Sequence, residues 1–207
     1  MATPLTFLSI SILCLLSAPF CASTSTNPGT IKSSAEAVSF IKSQCSTTTY
    51  PNLCVECLSS YASTIGQSQK ELAQAALSVS VVRSKAARDF VVRSARLQGL
   101  RKREAAALKD CLDEIGDSVD RLSRSVEEMK QVQPPGSKGK EEFVWHVSNV
   151  ETWVSAALTD ENTCMDGFSG KELDGSIKTS IRTRILSLAQ VTSNALALVN
   201  SFASKYY

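Results

Sequence analysis

The sequence predicts an all-α protein: an up-down-up-down four-helix bundle with an N-terminal helical hairpin and two disulfides. Three observations support this fold class. Four long segments repeat apolar residues every three or four positions, short loops containing Gly and Pro separate them, and no stretch of the 207 residues shows the alternating pattern of a strand. Because short loops join the long segments, consecutive helices are expected to run antiparallel.

The N-terminus has the composition of a secretory signal peptide. Residues 1–31 contain no Lys, Arg, Asp or Glu, and Leu5–Leu16 is an apolar run too short to span a bilayer. The small residues Cys21-Ala22-Ser23 follow and offer a cleavage site, which predicts a signal peptide over residues 1–23. A buried apolar N-terminal helix is the alternative. No later segment is expected to span a membrane, so the sequence predicts a soluble, secreted protein.

A helical hairpin is predicted at about 33–64, after a flexible lead-in at Thr24–Gly29. Ser33–Lys42 begins with a candidate N-cap serine and has Glu36 three residues later, a capping-box pattern. Pro51 disfavours helical conformation at the residue before it and suits the first turn of a second short helix, Asn52–Thr64.

Four longer helices are predicted to form the bundle, at about 70–205. They are Lys70–Leu97, Arg101–Met129, Glu141–Phe168 and Ser176–Lys205. The loop Gln131–Lys140 contains Pro134-Pro135-Gly136, which ends any helix, and Asp174-Gly175 marks the last turn.

The third long helix has an apolar seam that one acidic residue interrupts. Spacings of three, four and seven place its apolar side chains on one face: Phe143, Val147, Val150, Val154, Ala157, Cys164 and Phe168. Glu161 lies on the same face. This helix therefore carries a cysteine and a carboxylate toward the predicted core.

Five cysteines remain after Cys14 and Cys21 leave with the signal peptide, and secretion makes them candidates for disulfides. Cys111 and Cys164 lie on the apolar seams of two helices, and Cys45 and Cys54 flank the hairpin turn. Position therefore favours Cys45–Cys54 and Cys111–Cys164, although fifteen pairings are formally open. Cys57 is then the free thiol, expected to be a buried small side chain.

The sequence offers little for catalysis or metal binding. Cys54-Val-Glu-Cys57 lacks the βαβ context of a redox motif, and a zinc site would need a ligand beyond three hairpin cysteines. His146 is the only histidine, on a distant helix, so no Ser-His-Asp machinery is predicted. We expect no catalytic residue, metal or cofactor. Trp145 and Trp153 are predicted to pack in the core.

Charge is distributed unevenly along the chain, although the net charge is only +2. The basic region Arg83–Arg103 contains Asp89 as its only acidic residue, and it either solubilises the surface or attracts an acidic partner or polyanion. Without a reading motif, no nucleic-acid partner is expected. A solvated acidic face follows, made of Asp110, Asp113, Glu114, Asp117, Asp120, Glu127 and Glu128.

Three stretches resemble the plant invertase/pectin methylesterase inhibitor family: TYPNLC in the hairpin, LKDCLDEIGDSVDRL, and WVSAALTDENTC. The resemblance covers nearly all of residues 24–207 and implies a four-helix bundle with a hairpin and two disulfides at the pairs favoured above. It implies an inhibitor and not an enzyme, one that blocks the cleft of its target in a one-to-one complex. WVSAALTDENTC is more similar to pectin methylesterase inhibitors, so that target is expected, with acid invertase as the alternative.

The resemblance also implies where the target binds. The contact surface would be the outward faces of Lys70–Leu97 and Arg101–Met129, with contributions from Arg88, Asp110, Asp113, Glu114, Asp117 and Arg121. The implied location is the apoplast or cell wall. A third hypothesis is a pectin-binding wall protein that uses the basic region Arg83–Arg103.

Overall fold

The computed structural model describes residues 28–136 and 139–207, which leaves the predicted signal peptide, 1–23, outside the described residues. Within the described part the chain is helical and contains no strand, so the predicted all-α class is confirmed. The helices are α1 (Pro28–Cys45), α2 (Pro51–Leu58), α3 (Ala62–Ile65), α4 (Gln69–Ala95), α5 (Lys102–Gln131), α6 (Lys140–Asp166) and α7 (Ser176–Ala203). Two short 3-10 turns occur at Ser59–Tyr61 and Lys171–Leu173.

The four long helices form a closed ring in the order α4, α5, α6, α7, in which each helix packs against two neighbours. The predicted up-down-up-down bundle is confirmed. The short helices α1, α2 and α3 pack on one another and against α4 and α7. Two hydrogen bonds fix the hairpin turn to α7: Tyr50 N–H donates to Asn194 Oδ1 (3.0 Å), and Asn194 Nδ2 donates to the Tyr50 carbonyl (2.9 Å).

The hairpin differs from its prediction in two details. α1 begins at Pro28, so Ser33 lies inside the helix and the predicted N-cap there is wrong. The second helix is not continuous over Asn52–Thr64, because a 3-10 turn separates α2 from α3. Ser59 lies at this break and its hydroxyl donates to the Val55 carbonyl (2.6 Å), a local bond by which serine competes with regular helix geometry.

The bundle core has two apolar halves. The half next to the hairpin includes Leu72, Leu122, Phe143 and Val150, and the other includes Leu108, Ile115, Phe168 and Ile185. All seven apolar residues of the seam predicted on the third long helix are buried, six of them on α6 and Phe168 just after its end. Each long helix also has a buried polar side chain near the junction of the halves: Ser84, Ser118, Glu161 and Thr192.

Glu161 is the centre of this polar junction and is fully buried. The hydroxyls of Ser118 and Thr192 donate to its Oε1 atom at 2.8 and 2.9 Å, whereas Oε2 makes no hydrogen bond to any described residue. Burial raises the pKa of Glu161 to about 8, the two hydroxyl bonds oppose this, and the Asp160 charge adds to it. At neutral pH this carboxyl is therefore predominantly protonated, and three helices meet on it without a buried charge.

Both disulfides are present. Cys45–Cys54 closes the hairpin turn with Cα atoms 5.6 Å apart, and Cys111–Cys164 joins α5 to α6 with Cα atoms 4.3 Å apart. Cys57 is a free thiol. The expectation that Cys57 is buried was wrong: it is half-buried, and its Sγ atom lies 4.0 Å from the Arg83 guanidinium.

The helix α7 corrects another expectation. By length and composition it is apolar enough to cross a membrane, although no such segment was expected after residue 23. In the most apolar window of α7, 56% of the residues are buried inside the bundle. Core packing accounts for these apolar residues, since α7 supplies one wall of both halves of the core.

Candidate functional site

The residues predicted to contact a target lie on α4 and α5, but not all of them share one outward face. Asp110, Asp113 and Asp117 are exposed on α5, and Arg88 is exposed on α4. Glu114 and Arg121 are half-buried and lie on the flank of α5 that faces α6. The exposed carboxylates of α5, together with Arg88, therefore form the accessible part of the predicted surface, which we call the α5 carboxylate face.

Arg121 has a structural role in addition to its predicted one. Its guanidinium donates to Asp160 Oδ1 (2.6 Å) and to the Ala156 carbonyl (3.3 Å), and lies 3.8 Å from Asp117. Burial raises the pKa of Asp160 to about 6; Arg121 opposes the shift, and the nearby carboxylates of Glu114 and Asp117 increase it. This pair holds α5 against α6, so Arg121 is a residue that positions the face.

A second polar bridge joins the same two helices. Glu128 Oε1 accepts a hydrogen bond from Asn149 (2.8 Å) and lies 2.9 Å from His146 Nδ1. These contacts lower the pKa of Glu128, with the Asn149 bond as the largest cause. The only histidine of the chain is thus half-buried and bound to a carboxylate, an arrangement that ties α5 to α6 and pairs His146 with no nucleophile.

Two arginines of the predicted basic region, Arg101 and Arg103, form contacts within the protein. Arg101 N–H donates to Glu104 Oε2 (2.8 Å), which caps α5, and the Arg101 guanidinium bonds Glu104 (2.7 Å) and the carbonyls of Glu172 (2.6 Å) and Asp174 (3.3 Å). Arg103 lies 3.9 Å from Glu172. In the described part of the chain, the remaining cations form no ion pair: Arg83, Lys85, Arg88, Arg93, Arg96 and Lys102.

The fold turns the sequence's charge pattern into two oppositely charged sides. Helices α5 and α6 together contain seven Lys and Arg and fourteen Asp and Glu. On α4 and α7 the acidic residues are only Glu71 and Asp89, against Lys70, Arg83, Lys85, Arg88, Arg93, Lys178, Arg182 and Arg184. Because consecutive pairs of helices form opposite sides of the ring, the protein is acidic on one side and basic on the other.

The two tryptophans were predicted to pack in the core, and neither is fully buried there. Trp145 is 67% exposed on α6, so its expected place in the core was wrong, and Trp153 is half-buried. Trp145 follows the buried Phe143 by two residues, which turns it to the opposite side of the helix. Among the described residues, no group of three or more His, Cys, Asp or Glu side chains is arranged to hold a metal ion.

This geometry is that of a rigid helical surface with exposed charges, and similarity to known proteins places it in a family. Residues 39–198 match the family model of the plant invertase/pectin methylesterase inhibitors. The chain belongs to this family. The family is that of non-catalytic inhibitor proteins, which agrees with the expectation that the chain is not an enzyme.

Two relatives are similar to this chain over most of its length. Pectinesterase inhibitor 11 of Arabidopsis thaliana is 47% identical over 194 residues, covering 94% of this chain and 95% of the relative. The 21 kDa protein of Daucus carota is 53% identical over 174 residues, which cover 84% and 89% of the two chains. A crystal structure of a mutant pectin methylesterase inhibitor from Arabidopsis superimposes with a TM-score of 0.60 at 19% identity, over 77% of this chain and 95% of that one. The last comparison supports the fold alone.

Proposed function

We propose that this protein is a secreted inhibitor of pectin methylesterase that binds the enzyme one to one and covers its substrate cleft. The similarity to pectinesterase inhibitor 11 along almost the full length of both chains carries this proposal. Residues 1–23 serve as the signal peptide, and the protein acts in the apoplast or cell wall. Its two disulfides suit an oxidising, extracellular compartment.

The α5 carboxylate face and the adjoining part of α4 are proposed to meet the esterase. Four exposed residues would contribute directly: Arg88, Asp110, Asp113 and Asp117. Glu114 and Arg121 would contribute from the flank of α5, where Arg121 also holds α5 against α6 through its bond to Asp160. A standard interface of about 1,600 Å² would shut out a polymeric substrate without any chemistry by the inhibitor.

Acid invertase is the alternative target, because the family that the chain belongs to includes inhibitors of both enzymes. The two proposals are separated by titrating purified residues 24–207 into a pectin methylesterase and, in parallel, into an acid invertase. We expect esterase activity to fall to a plateau at one inhibitor per enzyme while invertase activity is unchanged. Inhibition of invertase alone would overturn the proposal.

The same titration tests the α5 carboxylate face with the double variant Asp113→Lys/Asp117→Lys. Reversing two exposed charges changes the electrostatic fit to the enzyme, so we expect inhibition to weaken by about 10- to 100-fold. The matched control is Glu141→Lys/Asp166→Lys, which reverses two exposed charges at the ends of α6 and should inhibit within about threefold of the native protein. Equal losses in both variants would show that net charge matters and this face does not.

A further inference from the structure

A shallow groove follows the seam between α4 and α7, at the end of the bundle away from the hairpin. It encloses about 310 Å³, and its walls include Phe90 from α4, Leu97 just after the end of α4, and Ile177 from α7. Leu97 is 54% exposed although it is a large apolar residue. The groove therefore presents apolar surface to solvent on the basic side of the bundle.

Arginines border this apolar floor. Arg93 lines the groove itself, the Arg184 guanidinium lies 5.2 Å from the centre of the Phe90 ring, and Arg83 lies farther along the same flank of α4, toward the hairpin. None of the three forms an ion pair with a described residue. α7 contains no acidic residue that could neutralise them. Arg93 follows Arg83 by ten positions, a helical rise of about 15 Å, so the cations extend over about that distance.

We propose that this α4–α7 groove binds a linear polyuronate, the carboxylated polymer that remains when a pectin methylesterase removes methyl esters. A guanidinium pairs with a carboxylate through two parallel hydrogen bonds, which suits three unpaired arginines to a chain that carries a carboxylate on each sugar. The apolar faces of the sugar rings would pack on Phe90, Leu97 and Ile177. The choice of a polyuronate rests on the proposed function, since it is the product of the proposed target.

The groove and the proposed esterase contacts lie on different flanks of α4. At 3.6 residues per turn, Arg88 and Arg93 point about 140° apart around the helix. Val81 and Lys85 line the groove between α4 and α5, and Arg88 follows them by seven and three residues, so it lies on the α5 side of α4. Phe90 and Arg93 border α7 instead. One molecule could therefore hold the de-esterified polymer and an esterase at the same time, which would keep the inhibitor where the enzyme has already worked.

The test compares binding of polygalacturonate and of fully methyl-esterified pectin by isothermal titration calorimetry at low salt. We expect the native chain to bind polygalacturonate, to bind the esterified polymer at least tenfold more weakly, and to lose affinity as salt is raised. The triple variant Arg83→Gln/Arg93→Gln/Arg184→Gln should bind polygalacturonate about tenfold more weakly, yet inhibit the esterase as the native protein does. The control Lys109→Gln/Arg124→Gln/Lys205→Gln removes the same charge elsewhere and should bind within about twofold of native.

Several results would overturn the proposal that the α4–α7 groove binds a polyuronate. Equal loss in the two triple variants would mean that bulk charge alone attracts the polymer, and native binding by the arginine variant would mean that the groove is not the site. Loss of esterase inhibition with intact polymer binding in that variant would make the α4–α7 side a protein-docking surface instead. The proposed function fails separately, if the native protein binds polygalacturonate but does not inhibit the esterase.

Discussion

Raising the pH from about 5 to about 8 is expected to destabilise the native fold, and Glu161→Gln is expected to remove most of that dependence. Glu161 is fully buried among Ser118 and Thr192, and burial raises its pKa from 4.5 to about 8. Between these two values the unfolded chain has lost the proton that the folded chain keeps. Stability is therefore complete below about pH 4.5 and declines as the pH rises through about 8.

The size of the effect follows from the same shift. Each pKa unit corresponds to about 1.4 kcal/mol of stability, so Glu161 alone accounts for a loss of several kcal/mol between about pH 4.5 and 8. Asp160, whose pKa burial raises to about 6, adds a smaller loss of the same sign that is complete above that pH. Glutamine keeps an acceptor for Ser118 and Thr192 without a charge to bury. The variant should therefore retain only the part due to Asp160 and to Glu151, whose pKa burial also raises.

The measurement is the free energy of urea unfolding at several pH values for the native chain and Glu161→Gln. The matched control is Glu104→Gln, because hydrogen bonds from Arg101 lower the pKa of Glu104 and its contribution is lost only as the pH falls below the unfolded value near 4.5. That control should lower the free energy of unfolding at pH 5 to 8 without changing how steeply it falls as the pH rises. An equally steep loss in Glu161→Gln and the native chain would show that Glu161 is charged when folded.

Removing the disulfide between α5 and α6 is the second large effect expected. In Cys111→Ala/Cys164→Ala the unfolded chain regains the entropy of a long closed loop, which the chain-entropy model values at roughly 4.2 kcal/mol for a separation of 53 residues. Loss of two buried sulfur atoms adds to this cost. For a domain of this size the thermal midpoint should fall by roughly 10 °C or more.

Two control variants make the disulfide prediction specific. Cys45→Ala/Cys54→Ala opens a loop with a separation of only 9 residues and should cost less, roughly 2.7 kcal/mol in the same model. Cys57→Ala removes the half-buried free thiol and should change stability little. Thermal unfolding followed by circular dichroism measures all three, and a larger loss from the short loop than from the long one would contradict the prediction.

The long helices were predictable because each buries one continuous face. Spacings of three and four residues located α4, α5, α6 and α7 within a few residues of their observed ends. All seven residues of the seam predicted on the third long helix are buried, although Phe168 lies just after the end of α6. The ends of α1 were not predictable in the same way. A helix that continues upstream of a good capping sequence needs tertiary support, and the sequence near Ser33 does not show it.

The polar contacts of the site depended on which helices became neighbours. The sequence showed Glu161 on an apolar face, but not that Ser118 and Thr192, which lie 43 and 31 residues away, would donate to it. The pairing of Arg121 with Asp160 spans 39 residues and was missed for the same reason. Trp145 is different, since its position two residues after Phe143 already indicated exposure.

The dependence of inhibition on pectin concentration tests most directly the proposal that this protein covers the esterase cleft. Initial rates are measured with a fixed enzyme concentration, a series of inhibitor concentrations and increasing pectin. If the α5 carboxylate face occupies the cleft, the apparent inhibition constant should rise linearly with pectin while kcat at saturating pectin is unchanged. An inhibition constant that does not depend on pectin, with a reduced kcat, would contradict occlusion of the cleft.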